Sequence, residues 1–279
     1  MFLLSICVPT YNRCEKLNRQ LNFILNEISD LKNIELIVSD NASVDETRFL
    51  EILNNNKIKS HRNSKNLGLV GNLYTLAQLA SGKYIWFVGD DDNLIQGAIK
   101  NVISSLAHES TFLFLNHSIL DGNTGTCLYK EVVDIGTEVF QDGKDSIKEI
   151  PFNLISQLMF ITACVYRKDN LLEIMAPDDN LAAPLRYSFY CASRGTSLII
   201  RKHCLVNYWG NTSWEAHASK IRQVFIPEIF FKLPKYGYKI SFALKLLVQW
   251  YLKNWRETLA YNTPNLWRSI QYIRLNLKK

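Results

Sequence analysis

The sequence predicts an α/β protein whose sheet is mostly parallel and is flanked by helices. In the first half, short β-branched and aromatic runs alternate with segments whose apolar residues recur at helical spacing, the pattern of β-α-β units. A chain of 279 residues in which 47% are apolar can bury the core that such a sheet needs. The predicted strands are Leu3–Val8, Glu35–Ser39, Ile58–Arg62, Tyr84–Val88, Thr111–Leu115 and Ile161–Tyr166.

The predicted helices follow from apolar spacing and from capping residues. In the first of them, leucine and isoleucine side chains fall on one face. Asp45 stands before Glu46 and Thr47 as a helix cap, and Gly68 opens the next helix. The predicted helices are Glu15–Ile28, Asp45–Leu53, Leu69–Ala80 and Ser146–Met159.

Charge is distributed unevenly along the chain. Residues 1–219 contain 20 Lys and Arg against 24 Asp and Glu, whereas residues 220–279 contain 12 against 2. This shift predicts a domain boundary near Ser219 and a basic, amphipathic helical tail over 220–279. Such a helix can lie on an anionic membrane surface or pack on the domain, and both interpretations stay open. Its charges leave no apolar run long enough to span a bilayer.

The cysteines and the amino terminus predict a cytosolic protein. Six cysteines are spread along the chain with no C-x-x-C pair and no zinc-like spacing with the histidines, which favours reduced thiols. The first residues are apolar but lack a basic flank, and Pro9 and Asn12 interrupt them. We therefore expect a first strand there and not a signal sequence.

Three consecutive aspartates, Asp90, Asp91 and Asp92, follow the fourth predicted strand. Carboxylates crowded at the end of a buried strand repel one another unless a cation lies between them, and a hard divalent cation prefers oxygen ligands. Ligands of α/β proteins bind at the carboxyl ends of parallel strands. The triplet predicts a metal site in a ligand cleft, and the alternative for the triplet taken alone is a solvated turn.

Polar segments also follow the other predicted strands of the first half. Residues 10–13 come after the first strand, 40–45 after the second and 63–66 after the third. Because parallel strands end at the same edge of a sheet, all of these segments should line one edge together with the aspartates. Taken singly, they are ordinary Asx turns, helix caps or surface charges.

Together these segments resemble family 2 glycosyltransferases of the GT-A fold. The resemblance rests on four motifs in order: Pro9-Thr10-Tyr11-Asn12-Arg13, Asp40-Asn41-x-Ser43-x-Asp45, Asn66-x-Gly68, and Gly82-Lys83-Tyr84-Ile85 leading into the aspartates. It implies a GT-A domain over 1–219, with a nucleotide-sugar-binding half at 1–118 and an acceptor half at 119–219.

The resemblance also implies which residues bind the donor. Pro9, Thr10 and Tyr11 would line the nucleobase, and the Asp40 carboxylate would accept the imide N–H of uracil or thymine. Since uracil and thymine present this imide N–H, the contact favours a UDP- or dTDP-linked sugar. The residues expected near the base, ribose or phosphate are Arg13, Asn66 and Asn72.

By the same resemblance, Asp90 or Asp91 would lie near the ribose, and Asp92 would bind a Mn²⁺ or Mg²⁺ ion that also contacts the diphosphate. Such an ion acts as a Lewis acid on the departing nucleoside diphosphate. Gly89 stands where many relatives have another acidic residue, so the register of metal binding is open by one position. Asp90 is the second candidate metal ligand.

The acceptor half points to the addition of a single sugar. It lacks the Gln-x-x-Arg-Trp signature of processive synthases. Gly89-Asp90-Asp91-Asp92 together with Gly210-Asn211-Thr212-Ser213-Trp214 is similar to bacterial transferases that build O-antigen or capsule repeats, including an abequosyltransferase-like group. The resemblance implies a glycan or polyprenyl-diphosphate-linked acceptor. We expect a cytoplasmic protein, peripheral on the inner face of the plasma membrane if the tail binds lipid.

An inverting transferase needs a carboxylate that takes the proton of the acceptor hydroxyl. Asp178 and Asp179 are the acidic pair at the distance from the metal motif where the family has this base, and Asp179 is the preferred candidate. The reserve candidates are Asp178, Glu173, His203 and His217. The pair also reads as a Pro-Asp-Asp-Asn surface turn, and a retaining enzyme would have no such base.

Two other function classes compete with this interpretation. A nucleotidyltransferase that makes nucleotide sugars would carry a Gly-rich triphosphate loop near its amino terminus, and residues 8–11 contain no glycine. A non-catalytic module could use 220–279 to bind a membrane or a nucleic acid. The basic residues follow no RNA-binding motif, so we expect no nucleic-acid partner.

Overall fold

The computed structural model describes residues 2–133, 139–142, 147–200, 204–209 and 217–261. The chain divides into two compact units, Met1–Asn211 and Thr212–Lys279. The boundary expected near Ser219 and the division of the first domain into two halves stay predictions.

The described strands of the first unit form two sheets. The larger has eight described strands in the order β3-β2-β1-β4-β10-β6-β11-β9, and the smaller has the order β5-β12-β7-β8. The bounds are β1 (Leu4–Thr10), β2 (Ile34–Asp40), β3 (Ile58–Arg62), β4 (Tyr84–Phe87), β5 (Asn93–Leu94), β6 (Phe112–Leu115), β7 (Ser118–Asp121), β8 (Cys127–Tyr129), β9 (Val139–Asp142), β10 (Cys164–Arg167), β11 (Thr196–Ile200) and β12 (Leu205–Trp209).

The described helices pack on the first unit's sheet and make up most of the described part of the second unit, residues 217–261. In the first unit they are α1 (Cys14–Glu27), α2 (Gly68–Leu79), α3 (Ala98–Ser105), α4 (Lys168–Ile174) and α5 (Ala183–Ala192). In the second unit they are α6 (Ala218–Lys220), α7 (Ile226–Lys232) and α8 (Ile240–Lys253), with a π-helical turn at Ile221–Phe225. In the part of the chain that the structure describes, no helix combines the length and the apolarity that crossing a membrane requires.

The parallel half of the large sheet confirms the predicted α/β fold. β3, β2, β1 and β4 are mutually parallel neighbours, and every residue of β1 and β4 is buried. Strands covered on both faces by helices read as continuous apolar runs, which is why the sequence predicted them. Beyond β4 the sheet is mixed, because β10 runs antiparallel to both β4 and β6.

Two predicted helices form 3₁₀ turns instead. The segment predicted as Asp45–Leu53 consists of the turns Glu46–Phe49 and Glu51–Asn54, separated by Leu50 in an extended conformation with ψ 116°. Asp45 does cap the first turn, since its carboxylate accepts the Thr47 N–H at 3.1 Å.

The second case is the predicted helix Ser146–Met159. It forms the turns Ile147–Glu149 and Phe152–Met159 on either side of Pro151, and Ser146 lies outside the described residues. Proline has no N–H to donate and disfavours helical backbone at the residue before it. The apolar spacing was therefore a sign of burial and not of a continuous α-helix.

Candidate active site

The carboxyl ends of the parallel strands bring the polar segments together, as the sequence predicted. Thr10 at the end of β1 is aligned with Asp40 at the end of β2, and Asp40 with Arg62 at the end of β3. Beyond β4, Val88 still pairs with Cys7 through a backbone hydrogen bond of 3.0 Å, so the chain leaves the sheet at the aspartates.

Asp90 is buried and both of its carboxylate oxygens are hydrogen-bonded. The Thr10 hydroxyl donates to Oδ2 at 2.7 Å, and Arg13 Nη1 donates to Oδ1 at 3.0 Å. Burial raises the pKa of Asp90, and the Thr10 hydrogen bond and the Arg13 charge oppose that rise. The predicted donor-binding residues Thr10 and Arg13 thus anchor the first aspartate.

Asp91 forms ion pairs with two basic residues. Arg13 Nη1 lies 2.7 Å from Asp91 Oδ2, and Lys16 Nζ lies 3.1 Å from the same oxygen. Arg13 therefore bridges two carboxylates, which lowers the repulsion between them. Lys16 was not singled out in the sequence, but it lies one helical turn after Arg13 on α1, where residues three apart share a face.

Asp92 is held by a residue that is distant in the chain. The Thr162 hydroxyl donates to Asp92 Oδ2 and accepts the Gly89 N–H at 2.9 Å. The Trp86 indole N–H donates to the Thr162 carbonyl oxygen at 2.8 Å. Burial, followed by the charges of Asp91 and Asp90, raises the pKa of Asp92 to about 6 against the Thr162 hydrogen bond. Thr162 lies in the predicted strand Ile161–Tyr166, and nothing in the sequence marked it as part of the site.

Gly89 allows this placement of Asp92. A Cβ atom at position 89 would lie 2.3 Å from Asp92 Oδ2 and 2.8 Å from Asp92 Cγ. A larger side chain there would take the space that the Asp92 carboxylate occupies. The absence of a side chain at Gly89, which made the metal-binding position uncertain in the sequence, is therefore what allows Asp92 to occupy this place.

Asp40 forms a second charged cluster at the same edge. Its Oδ1 accepts the Ser43 N–H at 2.9 Å, its Oδ2 pairs with Arg62 Nη1, and Arg62 Nη2 donates to the Ser43 carbonyl oxygen at 2.7 Å. The Asp40 side chain is buried, whereas that of Arg62 is 40% exposed. Arg62 was seen in the sequence only as the end of a strand.

The turns that carry these residues are linked and strained. The Asn12 N–H donates to Ser43 Oγ, and the Val44 N–H donates to Asn12 Oδ1, each at 2.8 Å. Asn12 and Ala42 have positive φ values of 53° and 64°. Such backbone is uncommon outside glycine and concentrates at binding and catalytic sites.

The two predicted asparagines occupy different places. Asn66 is exposed, and its Oδ1 accepts from Gly68 N and from Asn41 Nδ2, both at 2.8 Å. Asn72 is buried, where its Oδ1 accepts from Ser39 Oγ at 2.6 Å and from Asn63 Nδ2 at 2.9 Å. Asn72 is therefore part of a buried hydrogen-bond network with Ser39 and Asn63, and its contact with a donor stays a prediction.

Residues 5–143 match the family model described as Glycosyl transferase family 2. The chain carries a family 2 glycosyltransferase domain. The matched range contains Thr10, Asp40 and all three aspartates, so the two charged clusters belong to this domain.

Curated relatives of the family 2 domain are bacterial glycosyltransferases. Abequosyltransferase RfbV of Salmonella typhimurium is 42% identical over 101 residues, which is 35% of this chain and 30% of that protein. GalNAc(5)-diNAcBac-PP-undecaprenol beta-1,3-glucosyltransferase of Campylobacter jejuni is 29% identical over 159 residues, 53% of this chain and 45% of that protein. The chain thus spans less than half the length of these two relatives.

Solved structures confirm the GT-A fold expected for the family 2 domain. TarS 1-349 of S. aureus in complex with UDP-GlcNAc superposes with a TM-score of 0.65 at 15% identity, covering 94% of this chain and 75% of that one. Mannosyltransferase PcManGT from Pyrobaculum calidifontis, in complex with GDP-Man and Mn2+, gives 0.60 at 16% identity and covers 98% and 80% of the two chains. At these identities the likeness concerns the fold alone.

In the family 2 domain, Asp92 offers one carboxylate to a divalent cation. Within the described ranges no three His, Cys, Asp or Glu residues are arranged to hold a metal, and no Lys or Arg there forms an ion pair with Asp92. Asp90 and Asp91 are engaged by protein cations, whereas Asp92 is a carboxylate with a raised pKa that is hydrogen-bonded to the Thr162 hydroxyl and to the Gly89 backbone. An oxygen donor of this kind suits Mn²⁺ or Mg²⁺, and substrate oxygens would have to complete the coordination.

The predicted base Asp179 lies in the segment between α4 and α5. β10 starts next to Gly89 and ends with Arg167 opposite Tyr84, at the far edge of the sheet. Near the end of α4, Glu173 contacts Tyr190 and Arg194 around the end of α5, just before β11 begins. Residues 175–182 connect α4 to α5, and their approach to the aspartates stays a prediction.

The candidate bases on this segment and around it differ in their surroundings. Asp178 Oδ2 pairs with Arg186 Nη1 at 2.7 Å, while the Asp179 side chain is exposed. Glu173 accepts the Tyr190 hydroxyl at 2.7 Å. His217 is exposed in the second unit, and His203 lies outside the described residues. The choice of Asp179 stays a prediction.

Proposed function

We propose that the protein is a metal-dependent, non-processive glycosyltransferase. It moves one sugar from a UDP- or dTDP-linked donor to a glycan or polyprenyl-diphosphate-linked acceptor in the synthesis of a bacterial surface polysaccharide. The observation that carries the proposal is the presence of two separate acidic clusters, at Asp40 and at Asp92, on one edge of a family 2 domain. The name of the Campylobacter jejuni relative, a transferase acting on a PP-undecaprenol-linked glycan, supports the acceptor class.

The two clusters suit the two ends of a nucleotide sugar. Asp40 is buried and held by Arg62 and the Ser43 N–H, so its carboxylate is fixed in place to accept the imide N–H of uracil or thymine. Thr10 and Arg13 fix Asp90, and with it the turn that carries Asp92. A donor that is bound in a fixed orientation loses less entropy when it reacts with the acceptor. This saving is a large part of the rate enhancement in group transfer.

The cation bound at Asp92 would supply Lewis-acid stabilisation of the nucleoside diphosphate as it leaves. Thr162 keeps the Asp92 carboxylate oriented for that role, since its hydroxyl lies between Asp92 and the Gly89 N–H. If the reaction inverts the anomeric carbon, Asp179 would take the proton from the acceptor hydroxyl. We place this reaction at the inner face of the plasma membrane, where polyprenyl-diphosphate acceptors are anchored.

The proposal is tested by incubating the full chain with UDP- and dTDP-linked sugars and Mn²⁺, with and without chelator. We expect release of the nucleoside diphosphate from at least one donor, and loss of that release in chelator. Pyrophosphate release from a sugar phosphate with UTP or dTTP would instead identify a nucleotidyltransferase. Binding to vesicles or RNA with no turnover of any nucleotide substrate would favour a non-catalytic module.

Replacing Thr162 with valine tests whether the Thr162 hydroxyl positions the Asp92 carboxylate. The change keeps the shape but removes the hydroxyl that donates to Asp92 and accepts from Gly89. A hydrogen bond to a charged group is worth about 1.5–3 kcal/mol, so we expect activity to fall roughly tenfold or more, with a higher Mn²⁺ requirement. Thr162→Ser retains the hydroxyl and should retain most activity. Equal Mn²⁺ titration curves for the valine and serine variants would contradict this role.

A further inference from the structure

An exposed apolar stripe runs along α8 in the second unit. It comprises Ile240, Leu244, Val248 and Leu252, which lie one helical turn apart, and continues to Trp255 in the helical residues 255–261. These five side chains are between 53% and 67% exposed. Successive steps of four residues advance each position by about 40° around a helix, so the first four span about 120° of its circumference. An apolar groove of about 490 Å³ lies along the same side, between Leu247 and Leu259.

This stripe is separate from the face that holds the second unit together. Ala243, Leu246 and Trp250 are buried on another side of α8. The Trp250 ring packs edge-on against Phe230 of α7 at 5.8 Å, and its indole N–H donates to the Arg222 carbonyl oxygen at 2.7 Å. The helix therefore has its own packed core face, and the apolar stripe is additional.

Basic residues border the stripe, and acidic residues do not. Lys245 is exposed and lies at about 140° on the same helical projection, next to the edge formed by Leu252, and Arg256 is exposed beside Trp255 in the chain. From residue 229 to residue 256 the sequence contains no Asp or Glu. The two acidic residues of the range 220–279 are already paired, Glu228 with Lys232 at 2.5 Å and Glu257 with Arg222 at 2.7 Å.

We propose that this stripe, with Lys245 and Arg256 at its border, is the surface by which the protein binds an anionic lipid bilayer. Apolar and aromatic side chains enter the boundary between headgroups and acyl chains, and the flanking basic groups contact lipid phosphates. A second copy of the chain is a poorer occupant. Two copies packed through this stripe would bring their basic residues together, with no Asp or Glu between residues 229 and 256 to compensate them.

The proposal rests on the proposed function only for the choice of the inner leaflet. Sedimentation of the full chain with extruded vesicles tests it without any sugar donor. We expect binding to vesicles of phosphatidylglycerol and phosphatidylethanolamine, and much weaker binding to phosphatidylcholine alone. The double variant Leu252→Glu, Trp255→Glu should weaken binding at least roughly tenfold, because it removes two apolar anchors and adds two charges.

The variants are matched so that a folding defect can be recognised. Lys245→Glu, Arg256→Glu should lose binding to the acidic vesicles at low salt, where lipid electrostatics dominate. Phe49→Glu, an exposed apolar residue of the first unit at 61% exposure, should bind as the unmodified chain does. All three should keep its thermal melting temperature and its nucleoside diphosphate release with a water-soluble acceptor.

Three outcomes would overturn the proposal. The first is that the full chain fails to bind the acidic vesicles. The second is that vesicle binding is the same in the Leu252, Trp255 variant and in Phe49→Glu. The third is that the apolar variant changes only the oligomeric state measured by light scattering in vesicle-free buffer, which would assign the stripe to a second copy. None of these outcomes depends on turnover of the donor, so the proposed function is tested separately by nucleoside diphosphate release.

Discussion

Replacing Asp92 with asparagine is expected to lower kcat at least roughly a hundredfold, the scale of losing a group that stabilises developing charge. The variant keeps the shape that Gly89 and Thr162 accommodate but removes the negative charge that would hold the cation. Nucleoside diphosphate release, measured against Mn²⁺ concentration, is the assay. We expect the remaining activity to respond little to added Mn²⁺.

The matched control for this variant is Asp169→Asn. Asp169 is an exposed carboxylate on α4 that pairs with Arg167 at 3.4 Å, in the helix that starts from the edge of the sheet opposite the aspartates. Surface ion pairs of this kind contribute little to stability, so the control should behave as the unmodified protein. Full activity of Asp92→Asn in Mn²⁺, or equal activity of the unmodified protein in Mn²⁺ and in chelator, would refute the metal role.

Replacing Asp40 with alanine is expected to raise the KM for the donor roughly 5- to 100-fold, with a smaller change in kcat. The basis is the loss of a hydrogen bond to a fixed, buried carboxylate, worth about 1–3 kcal/mol. The carboxylate also holds the Ser43 N–H and Arg62, but Arg62 is partly exposed and can be solvated when its partner is removed. Titration calorimetry with UDP or dTDP measures the binding loss directly.

The split between KM and kcat distinguishes recognition from catalysis in this experiment. A residue that binds the ground state and the transition state equally affects KM and leaves kcat nearly unchanged. A loss confined to kcat, with unaltered nucleotide affinity, would remove Asp40 from the base-binding site. A lower melting temperature without a change in affinity would make its role structural only.

In the parallel half of the sheet, β1 and β4 could be predicted because each is a short, mostly apolar and fully buried run. β3 has the predicted bounds Ile58–Arg62, and β2 extends the predicted strand by one residue at each end. β2 is almost fully buried, whereas β3 is mostly exposed, with Ile58 as its one buried residue. The local pattern failed at 45–53 and 146–159, where an extended Leu50 and Pro151 interrupt the helix.

The hydrogen-bond partners of the site aspartates depend on contacts between distant parts of the chain, which no local sequence pattern encodes. Thr162 meets Asp92 across 70 positions of the chain, and Arg62 meets Asp40 across 22. Both contacts exist because β10 inserts antiparallel beside β4 and because β2 and β3 are in register. The aspartates carried a signal in their own sequence, whereas their partners became recognisable only through the topology of the sheet.

The central claim is that the carboxyl edge of the sheet binds a nucleotide sugar between the Asp40 cluster and Asp92. A crystal structure of the protein with UDP or dTDP and Mn²⁺ tests it most directly. The claim requires the imide N–H of the base on the Asp40 carboxylate, and the ion shared between Asp92 and the diphosphate oxygens. A nucleotide bound away from Asp40, or an ion remote from all three aspartates, would contradict it.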